Sequence, residues 1–276
     1  MDNPSKNAVV LDPSGFNELK MCRSGPMLYN KNDIYVGGSL MTYGEFSVYE
    51  QDLFAQIVKP SDVVVEVGAN IGAHTVMLAR AATSTGAVLA FEPQRIVFQT
   101  LCANLALNQC TNVYAQQIAV GASPGRIVVP AMDPTTRANF GGVSLLGAEA
   151  GEQVTMIALD GLELPSCKFL KADVEGMEVE VVRGALETIR RLRPVMYLEN
   201  DREERSSELL EVLLSLDYAV YWHVTPLFNP RNFFGVAENI WGRNFHSLNL
   251  LCVPQESSPV MEGFRRVTSP SDRYEQ

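Results

Sequence analysis

A short strand followed at once by a glycine-rich turn, at residues 63–72, constrains the fold of this chain more than any other feature. The run Val-Val-Val-Glu-Val, apolar with one acid near its end, is typical of a buried strand. Gly68 and Gly72 then bracket a tight turn, and apolar residues at helical spacing follow over 73–82. Because such a turn lets backbone N–H groups approach a ligand in front of a helix N-terminus, this unit predicts a ligand site.

An acid at the end of the next strand narrows the ligand to one that contains adenosine. The buried strand over 87–91 ends in Glu92, which is placed to accept both hydroxyls of a ribose. A dinucleotide needs the G-x-G-x-x-G spacing, whereas Asn70 stands where the second glycine should be. Glu66 would also repel a pyrophosphate. The acids therefore favour S-adenosylmethionine, which carries a sulfonium and an ammonium, over NAD, and a turn without any ligand would leave Glu92 unexplained.

Composition and charge limit the possible partners. The 276 residues, 46% hydrophobic and 20% charged, suffice for one sizeable globular domain. A net charge of −10 without a basic stripe argues against nucleic acid and anionic membrane surfaces, and no apolar run is long enough to span a bilayer. The acidic, polar start at residues 1–4 predicts no signal peptide. Five cysteines without a C-x-x-C pair predict free thiols and a cytoplasmic location. A homo-oligomer is compatible with this sequence.

Alternating strand and helix patterns predict a doubly wound, seven-stranded, mostly parallel α/β sheet with small N-terminal hairpin and helix additions. Strands are predicted at 63–67, 87–91, 113–118, 168–172, 194–198, 218–222 and 247–253, and helices at 45–58, 73–82, 96–108, 177–191 and 203–216. This domain, 45–253, follows an N-terminal extension, 1–44, and precedes a polar tail, 254–276, which is predicted to be disordered.

Four further segments carry weaker signals, and the last three of them allow two interpretations each. Gly37 and Gly38 could turn a hairpin over residues 33–43. Tyr43 and Glu50 could close over the cofactor or simply pack the helix at 45–58. A glycine-rich excursion at 138–151, between predicted short strands at 126–130 and 153–157, is either a loop near the substrate or surface decoration. The loop at 223–246 carries aromatic residues that could wall an acceptor pocket or pack on the sheet, namely Phe228, Phe233, Phe234 and Trp241.

Acids recur at the carboxyl ends of the predicted strands. Glu66 lies one residue before such an end, and Glu92, Asp173 and Glu199 lie beside one. In a doubly wound sheet ligands bind off these ends, so the four acids are expected to meet in one site.

Four motifs of the chain resemble those of the FkbM-type methyltransferases. They are Val-Gly-Ala-Asn-Ile-Gly at 67–72, Phe-Glu-Pro at 91–93, Ala-Val-Gly at 119–121 and Lys-Ala-Asp-Val-Glu-Gly-Met-Glu at 171–178. The resemblance covers 48–253 and departs at Ala172, where the family usually has a bulky aliphatic residue, a difference that bears on packing. It implies a Rossmann-like class I methyltransferase fold, S-adenosylmethionine as donor, and O-methylation of a sugar, polyketide or other hydroxylated small molecule.

The resemblance and the acids together assign candidate roles. The predicted cofactor-binding residues are Glu66, Gly68, Asn70 and Gly72 for the methionine part, Glu92 with Pro93 for the ribose, Ala119 with Val120 for the adenine rim, and Asp173. The predicted catalytic residues, which would position the acceptor hydroxyl or take its proton, are Asp173, Glu175, Glu199 and His223.

Some of these roles have an alternative. Asp173 and Glu175 could instead cap a helix N-terminus, and His223, like His246, could be structural. Catechol-type O-methyltransferases hold magnesium with an acid after one strand and an acid–Asn pair after the next, which predicts Mg²⁺ on Asp173, Glu199 and Asn200. The alternative to this magnesium site is that the acids lie at the strand ends without binding an ion. An NAD-dependent oxidoreductase and a non-catalytic cofactor-binding protein remain as other functions.

Overall fold

The structure is a computed structural model that describes residues 11–242, 245–257 and 261–274. The first ten residues, on which the signal-peptide prediction depends, lie outside these ranges. The strands are β1 (Asn17–Cys22), β2 (Gly25–Asn30), β3 (Val63–Val67), β4 (Ala87–Phe91), β5 (Val113–Gln116), β6 (Ala119–Val120), β7 (Gly125–Val129), β8 (Glu152–Ile157), β9 (Phe169–Ala172), β10 (Val195–Glu199), β11 (Tyr218–Pro226), β12 (His246–Pro254) and β13 (Arg265–Arg266). The helices are α1 (Val36–Tyr43), α2 (Val48–Ile57), α3 (Thr75–Ala82), α4 (Arg95–Leu107), α5 (Glu178–Arg183), α6 (Leu186–Leu192) and α7 (Glu203–Ser215).

A central sheet in the order β13-β11-β12-β10-β9-β3-β4-β5 organises the described residues. The five strands from β10 to β5 run parallel, and β12 is antiparallel to both of its neighbours. All seven predicted strands are therefore confirmed, and the two-residue β13 makes an eighth. Helices α1 to α4 cover one face and α5 to α7 the other, which is why β9 is buried along its whole length.

The strand order reverses between β3 and β9, because β4 and β5 follow on one side and β10 on the other. Crevices form at such a switch point, off the carboxyl ends of the strands. Two smaller sheets flank the large one, the β1–β2 hairpin and the sheet β6-β8-β7. None of the described helices combines the length and apolarity needed to cross a membrane.

The N-terminal hairpin lies earlier than the sequence predicted. Strands β1 and β2 pair over 17–30, and the residues predicted as a hairpin, 33–43, contain α1 instead. Gly37 serves close packing there, because a Cβ built on it would lie 2.3 Å from the carbonyl oxygen of Asn30. The Gly37 N–H also donates to Asp33 Oδ2 at 2.6 Å, which holds the first turn of the helix.

Two other predictions need correction. The helix predicted over 177–191 is two helices, α5 and α6, which are separated at Gly184 and Ala185. The described part of the C-terminal tail is ordered: β13 pairs with β11, and Val267 is buried. The Arg265 guanidinium lies over the rings of Trp222 and Tyr274, 5.7 and 5.4 Å from their centroids. Polar composition predicted disorder, but cation–π contacts fix this segment to the sheet edge.

Candidate active site

A continuous crevice lies off the carboxyl ends of β3, β4, β9 and β10. We call its narrower part, of about 470 Å³, the apolar end, because its walls include Val67, Phe91, Ile118, Val120, Leu145 and Met177. The wider part, of about 1300 Å³, contains most of the ionisable groups. At its base lies a set of buried ionisable side chains that we call the charged floor, namely Glu50, Glu66, His74 and Lys171, of which all but Glu66 line the crevice. Gly68, Glu92 and Asp173 line both parts, so they join the two into one site.

The glycine turn after β3 lies directly against the loop after β9. Gly68 has φ +79°, and a Cβ built on it would lie 1.8 Å from the carbonyl oxygen of Asp173. The Asp173 N–H in turn donates to the carbonyl of Val67 at 3.1 Å. Only glycine fits such an approach at positive φ, so this position holds the turn and the acid together at the switch point.

Glu92 lies where the sequence predicted a ribose acceptor. Its side chain is buried, and its two oxygens accept the N–H groups of Asn70 and Gln94, each at 2.9 Å. Burial outweighs these hydrogen bonds and raises the pKa of Glu92 to about 7. Each oxygen keeps a second lone pair, so the carboxylate is fixed in orientation and can still accept from a ligand.

The glycine-rich segment at 138–151 covers the glycine turn. A Cβ built on Gly141 would lie 2.6 Å from Asn70 Nδ2, and Gln94 Nε2 donates to the Phe140 carbonyl at 2.7 Å. This segment therefore lies against the crevice, and its place near the substrate stays a prediction. Pro93, Ala119 and Val120, which were predicted around the ribose and adenine, line the same apolar end.

Lys171 is the centre of the charged floor, and the sequence alone predicts no role for it. Its side chain is 2% exposed, and its Nζ lies 3.0 Å from Asp173 Oδ2. Burial opposes its charge, but the carboxylates of Asp173, Glu66 and Glu50 outweigh that cost and hold its pKa above the ordinary value. Lys171 is therefore a buried ammonium within a ring of acids.

The other members of the charged floor come from α2, β3 and the residue before α3. Burial, only partly offset by Lys171, raises the pKa values of Glu50 and Glu66 to about 7. Burial and the charge of Lys171 lower the pKa of His74, so its contact with Glu50, 3.7 Å from Nε2 to Oε2, joins a neutral ring to the acid. Glu50 also accepts from Asn249 Nδ2 at 3.1 Å and lines the crevice, so it does more than pack α2.

Three predicted catalytic acids meet beside the charged floor. Side-chain oxygens of Asp173, Glu175 and Glu199 all lie within 4.8 Å of one another. Burial, followed by repulsion from Asp173, raises the pKa of Glu175 to about 8 and that of Glu199 well above its ordinary value. Glu199 Oε2 is buried and has no hydrogen-bond partner among the described residues. Glu175 is ion-paired with the guanidinium of Arg202.

The helix-cap alternative for Asp173 and Glu175 does not hold. Helix α5 begins at Glu178, its N-cap is Met177, and no side chain caps it. The loop N–H groups of Val174 and Gly176 are instead satisfied by Glu178 Oε1, at 2.9 and 3.3 Å. Asp173 and Glu175 are thereby left to face the crevice.

Several predicted residues lie away from the crevice walls. Asn200 Nδ2 donates to Ser206 Oγ at 3.0 Å, so its amide is directed to α7 and not to the group of acids. His223 Nδ1 hydrogen-bonds the Tyr197 hydroxyl at 2.8 Å, and burial lowers the pKa of this histidine to about 4. The structure therefore brings neither residue to the crevice, because each is engaged with a neighbouring buried group. Glu66 lies beneath the wall, in the charged floor.

The remaining predicted residues divide between packing and the wide end of the crevice. Gly72 packs on α4, since a Cβ built there would lie 2.8 Å from Leu101 Cδ1. His246 lines the crevice beside Phe245, and the Phe245 ring stacks on Tyr35 at 5.2 Å. Among the predicted aromatic wall, Trp241 joins this stack at 5.3 Å from Tyr35. Phe228 contacts the Tyr43 ring, and Phe233 and Phe234 pack on each other with part of their rings exposed.

Comparison with known proteins gives one family match and two curated relatives. A sequence model described as the methyltransferase FkbM domain matches residues 66–221, more than half of the chain. "Methyltransferase 1" of Beauveria bassiana is 30% identical over 143 residues, which are 44% of this chain and 57% of that protein. "Hexuronic acid methyltransferase AglP" of Haloferax volcanii is 28% identical over 178 residues, 61% of this chain and 71% of that protein. The chain thus spans little more than half of the first relative.

Solved structures give more distant similarities. A methyltransferase FkbM from Methylobacillus flagellatus aligns with 17% identity and a TM-score of 0.45, over 74% of this chain and 50% of that one. An O-methyltransferase from Bacillus cereus, in complex with SAH, aligns with 14% identity and a TM-score of 0.47, over 75% of this chain and 81% of that one. Because these similarities are distant, the assignment of the fold rests on the sheet order described above.

Proposed function

Because the chain belongs to the FkbM methyltransferase domain family, we propose that it transfers a methyl group from S-adenosylmethionine to a hydroxyl group of a small molecule. The observation that carries the choice of donor is the set of carboxylates around the glycine turn, Glu66, Glu92 and Asp173. Their charge attracts a cationic donor and repels the pyrophosphate of a dinucleotide. Acids at the turn thus support a sulfonium cofactor over NAD.

The residues of the crevice fit this donor part by part. Glu92, held by two backbone N–H groups, would accept from the ribose hydroxyls, and the apolar end would take the adenine. Asp173 would receive the ammonium of the methionine part. S-adenosylmethionine supplies an electrophilic methyl group when bound, so the protein has to orient the acceptor oxygen and move its proton.

Glu175 and Glu199 are our candidates for the group that takes the acceptor proton. A raised pKa makes a carboxylate a stronger base, but it also leaves the group protonated near neutral pH. Since the pKa of Glu175 is about 8, turnover should rise as the pH increases towards that value. The acceptor would enter through the wide part of the crevice, past Tyr35 and His246.

The predicted magnesium site fits these residues only in part. Three carboxylates supply the hard oxygen ligands that Mg²⁺ prefers, but Asn200 is directed elsewhere. The guanidinium of Arg202, already paired with Glu175, supplies positive charge to the same group of acids. We therefore propose transfer without a metal, and turnover that survives EDTA is the expected result.

Ligand binding followed by an acceptor screen tests the proposal. Calorimetry should show binding of S-adenosylhomocysteine and none of NADH; the reverse result would favour the oxidoreductase. Labelled S-adenosylmethionine, offered with a panel of hydroxylated metabolites, then identifies the acceptor. Sugars with a uronic acid should come first in the panel, because the Haloferax volcanii relative is named for hexuronic acid. A protein that binds the donor analogue, yet loses no biological activity in Asp173→Asn and Glu199→Gln variants, would be a non-catalytic binder.

A further inference from the structure

We propose that Lys171 is a positioning residue, which holds the Asp173 carboxylate in the orientation that receives the amino-acid part of the methyl donor. This inference rests on the proposed function and adds a residue to it. Lys171 has no assigned role and lies in β9, between β3 and β10. Among the described residues it is the one cation in the charged floor.

Among the described residues, the Lys171 ammonium donates its hydrogen bond to one crevice-facing acid, Asp173. Its Nζ is bound to Asp173 Oδ2 at 3.0 Å, and we find no partner for Oδ1 among the described residues. The Asp173 side chain is 37% exposed whereas that of Lys171 is 2% exposed, so the pair presents a carboxylate to the crevice and keeps the ammonium beneath it. A charge-assisted hydrogen bond of this kind fixes the rotamer of its acceptor.

The backbone around Asp173 is fixed as well, which leaves only the side chain for Lys171 to orient. The Asp173 N–H is bonded to Val67, and the carbonyl oxygen lies against Gly68. Without Lys171, the carboxylate would face repulsion from Glu66 below and from Glu175 and Glu199 beside it. It would then turn towards solvent, away from the position at the glycine turn.

Charge balance alone and a positioning role predict opposite effects on ligand binding when Lys171 is removed, so the inference can be tested. Removing a buried positive charge should by itself tighten the binding of a cationic group nearby. If Lys171 positions Asp173, its removal should instead weaken the binding of ligands that carry the ammonium. Lys171→Met, which replaces the ammonium with an apolar side chain of similar length, separates the two.

Two probes distinguish positioning from general damage. S-adenosylhomocysteine carries the amino-acid part, and 5′-deoxy-5′-methylthioadenosine has the adenosine and the thioether without it. In Lys171→Met we expect the affinity for S-adenosylhomocysteine to fall about 10-fold, the range of one hydrogen bond to a charged group, while that for methylthioadenosine stays within about 2-fold. An equal loss for both probes, or unchanged or tighter binding of S-adenosylhomocysteine, overturns the inference.

A double-mutant cycle tests whether Lys171 acts through Asp173. Once Asp173→Asn has removed the carboxylate, adding Lys171→Met should cost little further affinity for S-adenosylhomocysteine. Losses that simply add would assign Lys171 a separate role and overturn the inference. Lys168→Met is the matched control, because Lys168 precedes the same strand and is exposed; its affinities should equal those of the wild type.

A second variant covers the case in which Lys171→Met does not fold. Lys171→Met combined with Glu50→Gln removes a buried cation together with one of its buried acids, and it is compared with Glu50→Gln alone. The same selective loss for S-adenosylhomocysteine is expected. Failure of the proposed function looks different, since the wild-type protein would then bind neither probe.

Discussion

The apolar end of the crevice and its charged floor draw their side chains from different parts of the chain. The apolar end is made by segments that directly follow β3, β4, β5 and β9, together with the segment at 138–151. The charged floor joins α2, β3, the start of α3 and β9, with Asn249 of β12 bonded to Glu50. One end thus depends on local turns, and the other depends on the assembled fold.

The two parts therefore depend on different properties, the apolar end on the shape of the backbone and the charged floor on the balance of charge. At the apolar end the critical feature is the backbone, because a Cβ on Gly68 would overlap the carbonyl oxygen of Asp173. In the charged floor the critical feature is a balance of one ammonium against several buried acids. We therefore expect backbone changes at the turn to abolish the site, and charge changes in the floor to alter mainly its pH dependence and selectivity.

The largest effect should come from Gly68→Ala. The new Cβ would overlap the Asp173 carbonyl, and alanine at φ +79° is strained, so we expect a loss of about 2–3 kcal/mol or more in the free energy of unfolding. Binding of S-adenosylhomocysteine should disappear with it. Gly161→Ala is the control, because a Cβ there meets nothing within 4 Å. Chemical denaturation and calorimetry measure both effects, and a Gly68→Ala protein as stable as the control would contradict the close approach.

Glu92→Gln should have the next largest effect. The amide can offer an N–H₂ group where the carboxylate accepts from Asn70 or Gln94, so it loses the fixed orientation and the charge that a ribose diol would contact. We expect the affinity for S-adenosylhomocysteine to fall about 10- to 100-fold. Methylthioadenosine, which keeps the ribose, should lose as much. Glu211→Gln, an exposed change on α7, is the control. Equal affinities for S-adenosylhomocysteine in the two variants would show that the ribose binds elsewhere.

These two residues could be found from the sequence because their signals are local. Gly68 and Glu92 each directly follow a short, mostly apolar strand, and the strand pattern alone predicts that they lie at its carboxyl end. Lys171 gave no such signal. It is a charged residue in a short apolar run, and its partners Glu50 and Glu66 are distant in sequence, so only the folded sheet shows that its charge is balanced.

The errors in the fold have the same origin. Gly37 and Gly38 carry a turn signature, but both lie within α1, where Gly37 is needed because a Cβ there would lie 2.3 Å from the Asn30 carbonyl oxygen. The tail is polar, yet Arg265 finds two aromatic faces that belong to other elements. His223 was a candidate base because it borders the aromatic loop at 223–246, whereas its partner Tyr197 is known only once β10 and β11 share a sheet.

Glu50→Gln tests whether the pH dependence of stability resides in the charged floor. The pKa of Glu50 rises from 4.5 to about 7 on folding, so the folded state binds more protons between these values. Its contribution therefore favours the folded state at low pH and is lost as the pH rises through about 7. In Glu50→Gln the free energy of unfolding should fall less steeply over this window, by up to about 1.4 kcal/mol per pH unit.

Denaturant titrations at several pH values measure that slope. Glu187→Gln, an exposed change on α6, should leave it as in the wild type. If Glu50→Gln also leaves the slope unchanged, Glu50 does not titrate in this window and is not a source of the pH dependence.

The smallest effect should come from His223→Gln, which lies in neither the apolar end nor the charged floor. Its ring hydrogen-bonds Tyr197 and stacks on Phe264, 5.3 Å between centroids, so the change removes packing and one hydrogen bond. We expect a loss of about 1 kcal/mol in the free energy of unfolding and methyl transfer within about 2- to 3-fold of the wild type. Glu199→Gln, measured in the same transfer assay, should lose far more because its carboxylate is buried among the acids of the crevice. A His223→Gln enzyme that folds but transfers no methyl group would restore His223 as the base, and the division of the site into an apolar end and a charged floor would then be incomplete.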